Sequence, residues 1–131
     1  MDLTHEKIWA TDNDGSEYTA FVPFTHPSAP YKTLFVMMIC DGRPFTLADR
    51  KHAQHRLCEL KHRLQMSVTR MMDHLGVADE KAFHEITHNP TLMLEAGNHE
   101  RWTFALVRLT DSAGFFCDWE HDKFSRVRRI D

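Results

Sequence analysis

The chain has 131 residues, of which 42% are hydrophobic and 27% charged, and its formal net charge at pH 7 is −3. This length allows one domain and excludes a second core of ordinary size. The aromatic and aliphatic content excludes a largely disordered chain, and no apolar run is long enough for a membrane-spanning helix. The slightly acidic balance counts against nucleic-acid binding by the whole surface. The polar N-terminal residues carry no signal-peptide pattern, so we expect a soluble, cytoplasmic protein.

The cysteines and histidines add to these limits. Cys40, Cys58 and Cys117 are widely spaced and form no Cys-x-x-Cys pair, so we predict free and mostly buried thiols in a reducing compartment. Histidine is unusually frequent, with ten residues. Because histidine titrates near physiological pH, the charge of this histidine-rich chain depends strongly on pH.

The first third of the chain predicts three strands. Residues 6–24 are typical of a hairpin, because segments rich in β-branched and aromatic residues flank the turn sequence Asp-Asn-Asp-Gly at 12–15. The prolines of residues 23–31 predict an extended connector. Residues 33–40 are nearly all apolar without alternation, which predicts a central strand covered on both faces. In so short a chain, a second copy or a partner protein is a candidate to cover the second face, so a homodimer is one expectation.

A long helix is predicted after this strand. Thr46 is a suitable N-cap, and Asp49 at the third helical position approximates a capping box. Gly76 is expected to end the helix. Apolar residues recur at spacings of three and four, and they are Ala53, Leu57, Leu60, Leu64, Val68, Met71 and Leu75.

The remainder predicts a short helix followed by strands. The helix covers residues 78–88, with Asp79 as its N-cap and the Asn-Pro pair at 89–90 ending it. Strands are predicted over residues 91–95, 101–110 and 115–119, whereas residues 120–131 do not decide between strand and helix. The order β-β-β-α-α-β-β-β predicts a single α+β domain over residues 1–131. One long and one short helix are expected to pack on one face of an antiparallel sheet.

One short motif has the spacing of a metal site. The segment at 84–88 reads His-Glu-Ile-Thr-His and fits the pattern H-E-x-x-H. On a helix, His84 and His88 share a face and can hold one Zn²⁺, with Glu85 as general base. The five residues resemble the active-site signature of the zincin metalloproteases, which implies a zinc-dependent hydrolase.

A catalytic zinc also needs a third protein ligand. The candidates for that ligand are Glu95, His99 and Glu100, provided that the turn around Gly97 returns them over the helix. The apolar residues of the short helix lie opposite the two histidines of the motif. The alternative, which we favour, is therefore a pair of surface histidines and no bound metal.

One face of the long helix is rich in histidine and arginine and lies opposite the apolar stripe. We predict that this face is a partner-binding surface, because arginine and methionine suit protein interfaces. The alternatives are a merely solvated face, phosphate or nucleic-acid contact, and metal capture by His55 and Glu59 or by His52 and His55. The predicted contact residues are His52, His55, Arg56, Glu59, His62, Arg63, Met66 and Arg70.

No complete catalytic set accompanies these features. The five glycines are widely spaced and form no phosphate-binding loop or nucleophile elbow. We therefore predict a protein-binding module that acts without catalysis or cofactor, such as an inhibitor, immunity protein or adaptor of the kind common in bacteria, phages and mobile elements. The first alternative is the zinc-dependent hydrolase. The second is a nucleic-acid-binding regulator that uses the arginines of the long helix and Arg126, Arg128 and Arg129.

Overall fold

A computed structural model describes residues 2–12, 14–27 and 29–131. These residues form one α+β domain, as predicted, after a short 3-10 turn at Glu6–Ile8. The elements that follow are β1 (Ala10–Thr11), β2 (Glu17–Pro23), β3 (Thr33–Ile39), α1 (Leu47–Leu75), α2 (Glu80–Ile86), β4 (Thr87–Glu95), β5 (Asn98–Arg108), β6 (Gly114–Glu120) and β7 (Lys123–Ile130). No helix of the described residues is both long and apolar enough to span a membrane.

The seven strands form one sheet in sequential order from β1 to β7. Five of the six neighbouring pairs are antiparallel, but β3 and β4 are parallel. The predicted antiparallel sheet is confirmed as the main pattern, and this parallel pair departs from it. The reason is the crossover: α1 and α2 carry the chain back to the end of the sheet at which β3 began.

The predicted N-terminal hairpin forms only in part. β1 has two residues, and residues 6–8 make a 3-10 turn where a strand was expected. The indole Nε1 of Trp9 donates a hydrogen bond to the carbonyl of Leu3 at 2.9 Å, and both side chains are buried. Residues 3–9 therefore fold onto the core, and the sheet begins at Ala10. Asn13 of the predicted turn and Ser28 of the predicted connector lie outside the described residues.

The ends of α1 are those the sequence predicted. The Thr46 hydroxyl accepts a hydrogen bond from the backbone N–H of Asp49 at 3.2 Å, and the Thr46 N–H donates to the Asp49 carboxylate at 2.9 Å. This reciprocal pair is a capping box. At the other end, Gly76 takes the left-handed conformation, with φ of 70°, which a side chain would disfavour.

The core lies between α1 and one face of the sheet. The Trp102 and Trp119 rings stack beneath the helix with centroids 5.4 Å apart. The Nε1 of Trp119 donates to the Ser67 hydroxyl of α1 at 3.0 Å, in a fully buried position. The buried residues that α1 contributes are Asp49, His52, Ala53, Arg56, Leu57, Leu60, Leu64, Ser67, Val68 and Met71.

The two faces of β3 have different surroundings. Leu34, Val36 and Met38 are fully buried on the helix side, whereas Phe35 and Met37 on the other side are only half-buried. Within the described residues, the buried side chains of both helices belong to the same core cluster as Leu34, Val36 and Met38. Phe35 and Met37 are not part of that cluster. The expectation that β3 is covered on both faces is therefore not met by the chain alone.

The short helix ends earlier than predicted, at Ile86. Thr87 is already extended, with φ of −124° and ψ of 152°, and it pairs with Arg108 of β5. Its hydroxyl donates to the carbonyl of Phe83 at 2.9 Å, which closes the last turn of the helix. Pairing with β5 thus replaces the final helical turn, and residues 87–88 belong to β4.

The buried link between Trp119 and Ser67 predicts a large effect of a small change. Ser67→Ala should lower the free energy of unfolding by about 1–3 kcal/mol, because it removes the oxygen that accepts the hydrogen bond of the buried indole N–H. Urea denaturation measures this value. Thr69→Ala is the matched control, since the Thr69 hydroxyl donates to the exposed carbonyl of Gln65 at 2.9 Å. Its change should stay within about 0.5 kcal/mol. Equal effects of the two substitutions would contradict the assignment.

Candidate functional site

The predicted contact face of α1 divides into a covered and an exposed part. His52 and Arg56 are only 7% and 5% exposed. The turn between β4 and β5 lies over them. The His99 ring stacks on the His52 ring, and the ring centroids are 4.6 Å apart. The expectation that the whole face points away from the core is therefore wrong for His52 and Arg56. A helical wheel placed them opposite the apolar stripe, but it could not show a distant turn folding over that side.

Asp49 connects the start of α1 to this turn. Its carboxylate accepts hydrogen bonds from the Gly97 N–H at 2.9 Å and from the His99 Nε2 at 2.7 Å, besides those from Thr46. Burial raises the pKa of Asp49, but these hydrogen bonds outweigh it and lower the pKa to about 2. The carboxylate therefore acts as a structural acceptor that holds the β4–β5 turn on the helix.

Arg56 makes a second link between α1 and the same turn. Its Nη2 donates to the backbone carbonyl of His99 at 2.9 Å, and its Nη1 donates to Glu59 at 2.7 Å. The other oxygen of Glu59 lies 2.9 Å from the His55 Nε2. Both carboxylate oxygens of Glu59 are thus engaged within the helix, which argues against the metal capture considered for His55 and Glu59.

His52 is held uncharged in this cluster. Burial lowers its pKa to about 4, and the neighbouring charges of Arg56 and His99 act in the same direction. Its Nε2 is buried and has no hydrogen-bond partner among the described residues. Protonating His52 in the folded protein would place a charge against a guanidinium and a second imidazole.

Acid should consequently destabilise the fold through His52. Its pKa is 6.5 in the reference state and about 4 in the fold, so below pH 6.5 the unfolded chain binds more protons. This contribution to stability is complete above pH 6.5 and is lost as the pH falls toward 4. The loss between pH 7 and pH 5 should be about 2 kcal/mol.

Denaturation curves of the wild type and His52→Gln at both pH values test this expectation. The variant should lose less stability than the wild type over this interval. Asp49, with a pKa of about 2 against 3.8, adds its own loss only at lower pH. Identical declines in the two proteins would contradict the assignment to His52.

The exposed part of the face is called the α1 strip below, and it consists of His55, His62, Arg63, Met66 and Arg70. Met66 is 45% exposed. The Arg70 guanidinium lies 4.6 Å from the centre of the Phe124 ring, and Arg63 Nη2 is 3.9 Å from the Asp122 carboxylate. Around Met66 is a shallow depression of about 450 Å³, lined by His62, Gln65, Met66, Thr69, Arg70 and Asp73.

The H-E-x-x-H segment does not form the geometry that a zinc site needs. His84 is in α2, but His88 is in β4, so the two residues do not share a helical face. The His84 side chain is only 11% exposed. The Tyr31 hydroxyl lies 3.1 Å from its Nδ1, and Glu80 lies 3.5 Å from its Nε2. The helical wheel predicts that His84 faces solvent unless another element covers it, and the connector before β3 does cover it.

The proposed third ligands are far from this segment. Glu95 is at the opposite end of β4 from His88, and a strand of that length extends over about 25 Å. His99 bonds Asp49, and Glu100 is an exposed residue of β5. Within residues 2–12, 14–27 and 29–131, no group of three His, Cys, Asp or Glu side chains is placed to hold a metal ion. The arrangement of a zincin active site is not formed.

Zinc should therefore leave the stability of the fold unchanged. A ligand that binds only the folded state raises the melting temperature by mass action. We expect no rise when a slight excess of zinc is added to chelator-treated protein without a His tag. A rise that disappears in His88→Ala, together with one equivalent of zinc by elemental analysis, would contradict this geometry.

A second candidate surface lies on the side of the sheet away from the helices, and we call it the open sheet face. One cross-strand row runs in register through Phe21, Phe35, Thr91, Ala105, Phe116 and Arg128. The next row runs through Thr19, Met37, Met93, Thr103, Asp118 and Arg126. The face is thus apolar on β2 to β4 and charged toward β7. Of these positions, the sequence analysis pointed to the strand that carries Phe35 and Met37 and to Arg126 and Arg128. Strand register brings them into one face together with the other positions.

The arginines at the charged end are paired with carboxylates. Asp118 accepts from the Thr103 hydroxyl at 2.7 Å, from Arg126 Nε at 3.1 Å and from Arg128 Nη2 at 2.9 Å. Burial raises the pKa of Asp118, but these donors lower it overall. Arg129 donates to Asp131 at 2.7 Å. The basic tail predicted as a nucleic-acid contact is therefore largely neutralised by the protein itself.

Comparisons with protein-family models, with curated proteins and with solved structures give no match for this chain. Its function is consequently argued from its own geometry.

Proposed function

We propose that this chain is a small protein-binding module that acts by contact with another protein and without catalysis, as an inhibitor, immunity protein or adaptor does. The observation that carries the proposal is the α1 strip. Met66, with 45% of its surface exposed, lies in a shallow depression beside Arg70 and His62. Methionine and arginine are enriched at the centres of protein interfaces.

The strip is partly ordered before any partner binds. Arg70 is stacked on Phe124, and Arg63 is close to Asp122. Binding normally costs side-chain entropy, and residues already held in place lose less of it. His55 is fixed in the same way by Glu59. This preorganisation supports a contact surface over a merely solvated helix face.

The alternatives have less support. In the zinc-dependent hydrolase, the two histidines would have to share a helical face, and they are in different elements. A phosphate backbone would have to compete with carboxylates for Arg56, Arg126 and Arg128. Counterion release rewards unpaired basic side chains, so protein contact remains the proposal.

A reducing compartment is also part of the proposal. All three cysteines are free thiols, and Cys40 and Cys117 are buried. Burial raises the pKa of Cys117 to about 11, so its unreactive thiol form predominates at neutral pH. Free thiols are usual in cytosolic proteins, which supports a cytoplasmic location.

Charge reversal on the α1 strip should remove partner binding. Arg63→Glu with Arg70→Glu should abolish capture of the partner from extracts of the source cells. The double variant should melt within a few degrees of the wild type, because exposed ion pairs contribute little to stability. Capture is measured by mass spectrometry, and the affinity for the identified partner by calorimetry.

The matched control is Lys7→Glu with Lys81→Glu, which changes the net charge equally at exposed positions outside α1. This control should retain binding. Retained binding by the arginine double variant would instead reduce the α1 strip to a solvated surface.

A further inference from the structure

The open sheet face exposes more apolar surface than is usual for the solvated face of a sheet. Phe21 is 66% exposed, and the centroids of the Phe21 and Phe35 rings are 4.8 Å apart. An apolar depression of about 460 Å³ lies beside them, lined by Phe21, Thr33, Phe35, Met37, Asn89, Pro90, Thr91 and Val107. Antiparallel sheets with one solvated face usually alternate apolar and polar residues. Contiguous exposed apolar surface marks an interaction site.

We propose that a second copy of this chain packs on the open sheet face, sheet against sheet, about a two-fold axis parallel to β3 and β4. The charges favour this occupant. The polar end of the face carries the cations Arg101, Arg126 and Arg128, and it carries the anions Glu95, Asp118 and Glu120. Because these charges balance within one copy, the polar end does not repel a second copy, and a two-fold interface uses the same patch twice.

The strand order places complementary residues opposite each other. An axis between β3 and β4 lays β3 of one copy over β4 of the other, and β2 over β5. Met37 and Met93 occupy one cross-strand row, so they meet across the axis. Phe21 meets Ala105 of the second copy, since both lie in the neighbouring row. A large side chain facing a small one suits sheets that pack about 10 Å apart.

The rim of this arrangement joins opposite charges. Glu17 pairs with Ile39, and Ile39 pairs with Glu95 at the end of β4. Arg101 belongs to the same end of β5 and is 68% exposed. The two-fold axis therefore brings Glu17 of one copy near Arg101 of the other. An apolar centre with a charged rim is the usual anatomy of a protein interface.

The overlapping strands set the area of this dimer. β2 to β5 lie fully within the overlap, and at about seven residues each with a spacing of about 4.8 Å they present a projected area of about 450 Å². β1, with two residues, and β6 opposite it add a smaller part. Stable interfaces bury about 800 Å² per partner, measured over the relief of the side chains. The two α1 helices then lie on the outside of the dimer. Each dimer therefore presents two α1 strips, and the module is bivalent. This bivalency goes beyond the proposed function.

Sedimentation equilibrium and light scattering test the dimer directly. The wild type should have twice the chain mass of 15.4 kDa at micromolar concentration. Met37→Glu should convert it to a folded monomer, and Phe21→Glu should do the same if the first variant does not fold. Met66→Glu, at an exposed position on α1, should remain dimeric. A monomeric wild type, or a dimer that survives these substitutions in β2 and β3, would overturn the proposal.

A charge exchange tests the axis. Arg101→Glu should weaken the dimer at least tenfold, and adding Glu17→Arg should restore most of the loss. No restoration would overturn this packing. If the wild type is monomeric and a captured protein is lost with Met37→Glu, the face binds a different partner and the proposal also fails. Because the α1 strip is tested by separate substitutions, failure here leaves the proposed function standing.

Discussion

The single long helix α1 must bury its apolar stripe, and it does so against one of the two faces of the sheet. α1 covers the Trp102 and Trp119 pair, and the Ser67 hydroxyl satisfies the one polar group of Trp119 in that contact. The crossover that carries α1 over the sheet makes β3 and β4 parallel. The other face of the sheet is left open because the described chain has no second long helix. The two candidate surfaces, the α1 strip and the open sheet face, are the two sides of this one packing arrangement.

Asp49 has a role that its sequence position only half reveals. It closes the capping box with Thr46, and it also accepts hydrogen bonds from Gly97 and His99 of the β4–β5 turn. The same turn then covers His52 and Arg56. A residue that begins the helix therefore also decides how much of its outer face a partner can reach. The turn that Asp49 holds also keeps His52 buried and uncharged. As the pH falls, His52 therefore lowers the stability of the fold before the Asp49 carboxylate is protonated.

The H-E-x-x-H segment has the residue spacing of a zinc site, but its two histidines do not share a helical face. Four residues give a shared face only on a continuous helix. Here Thr87 pairs with Arg108, so the backbone leaves the helix inside the motif. His84 is then covered by Tyr31, which is more than fifty residues away in sequence. Neither the strand pairing nor that contact has a local signal, so the motif's five residues could not reveal its failure.

Local signals determined most of the elements of this protein, although strand pairing set the end of α2. Thr46, Asp49 and Gly76 set the bounds of α1 because caps act through neighbouring backbone groups. The apolar spacing of α1 predicted its buried stripe, and the continuous apolar run of β3 predicted a strand that is apolar on both faces. Tertiary structure decided everything that depends on distant residues. It made β3 and β4 parallel, covered His52 and Arg56, and aligned Phe21, Phe35 and Phe116 in one row. These outcomes rest on crossover path and strand register, and contacts between distant residues leave no periodic pattern in the sequence.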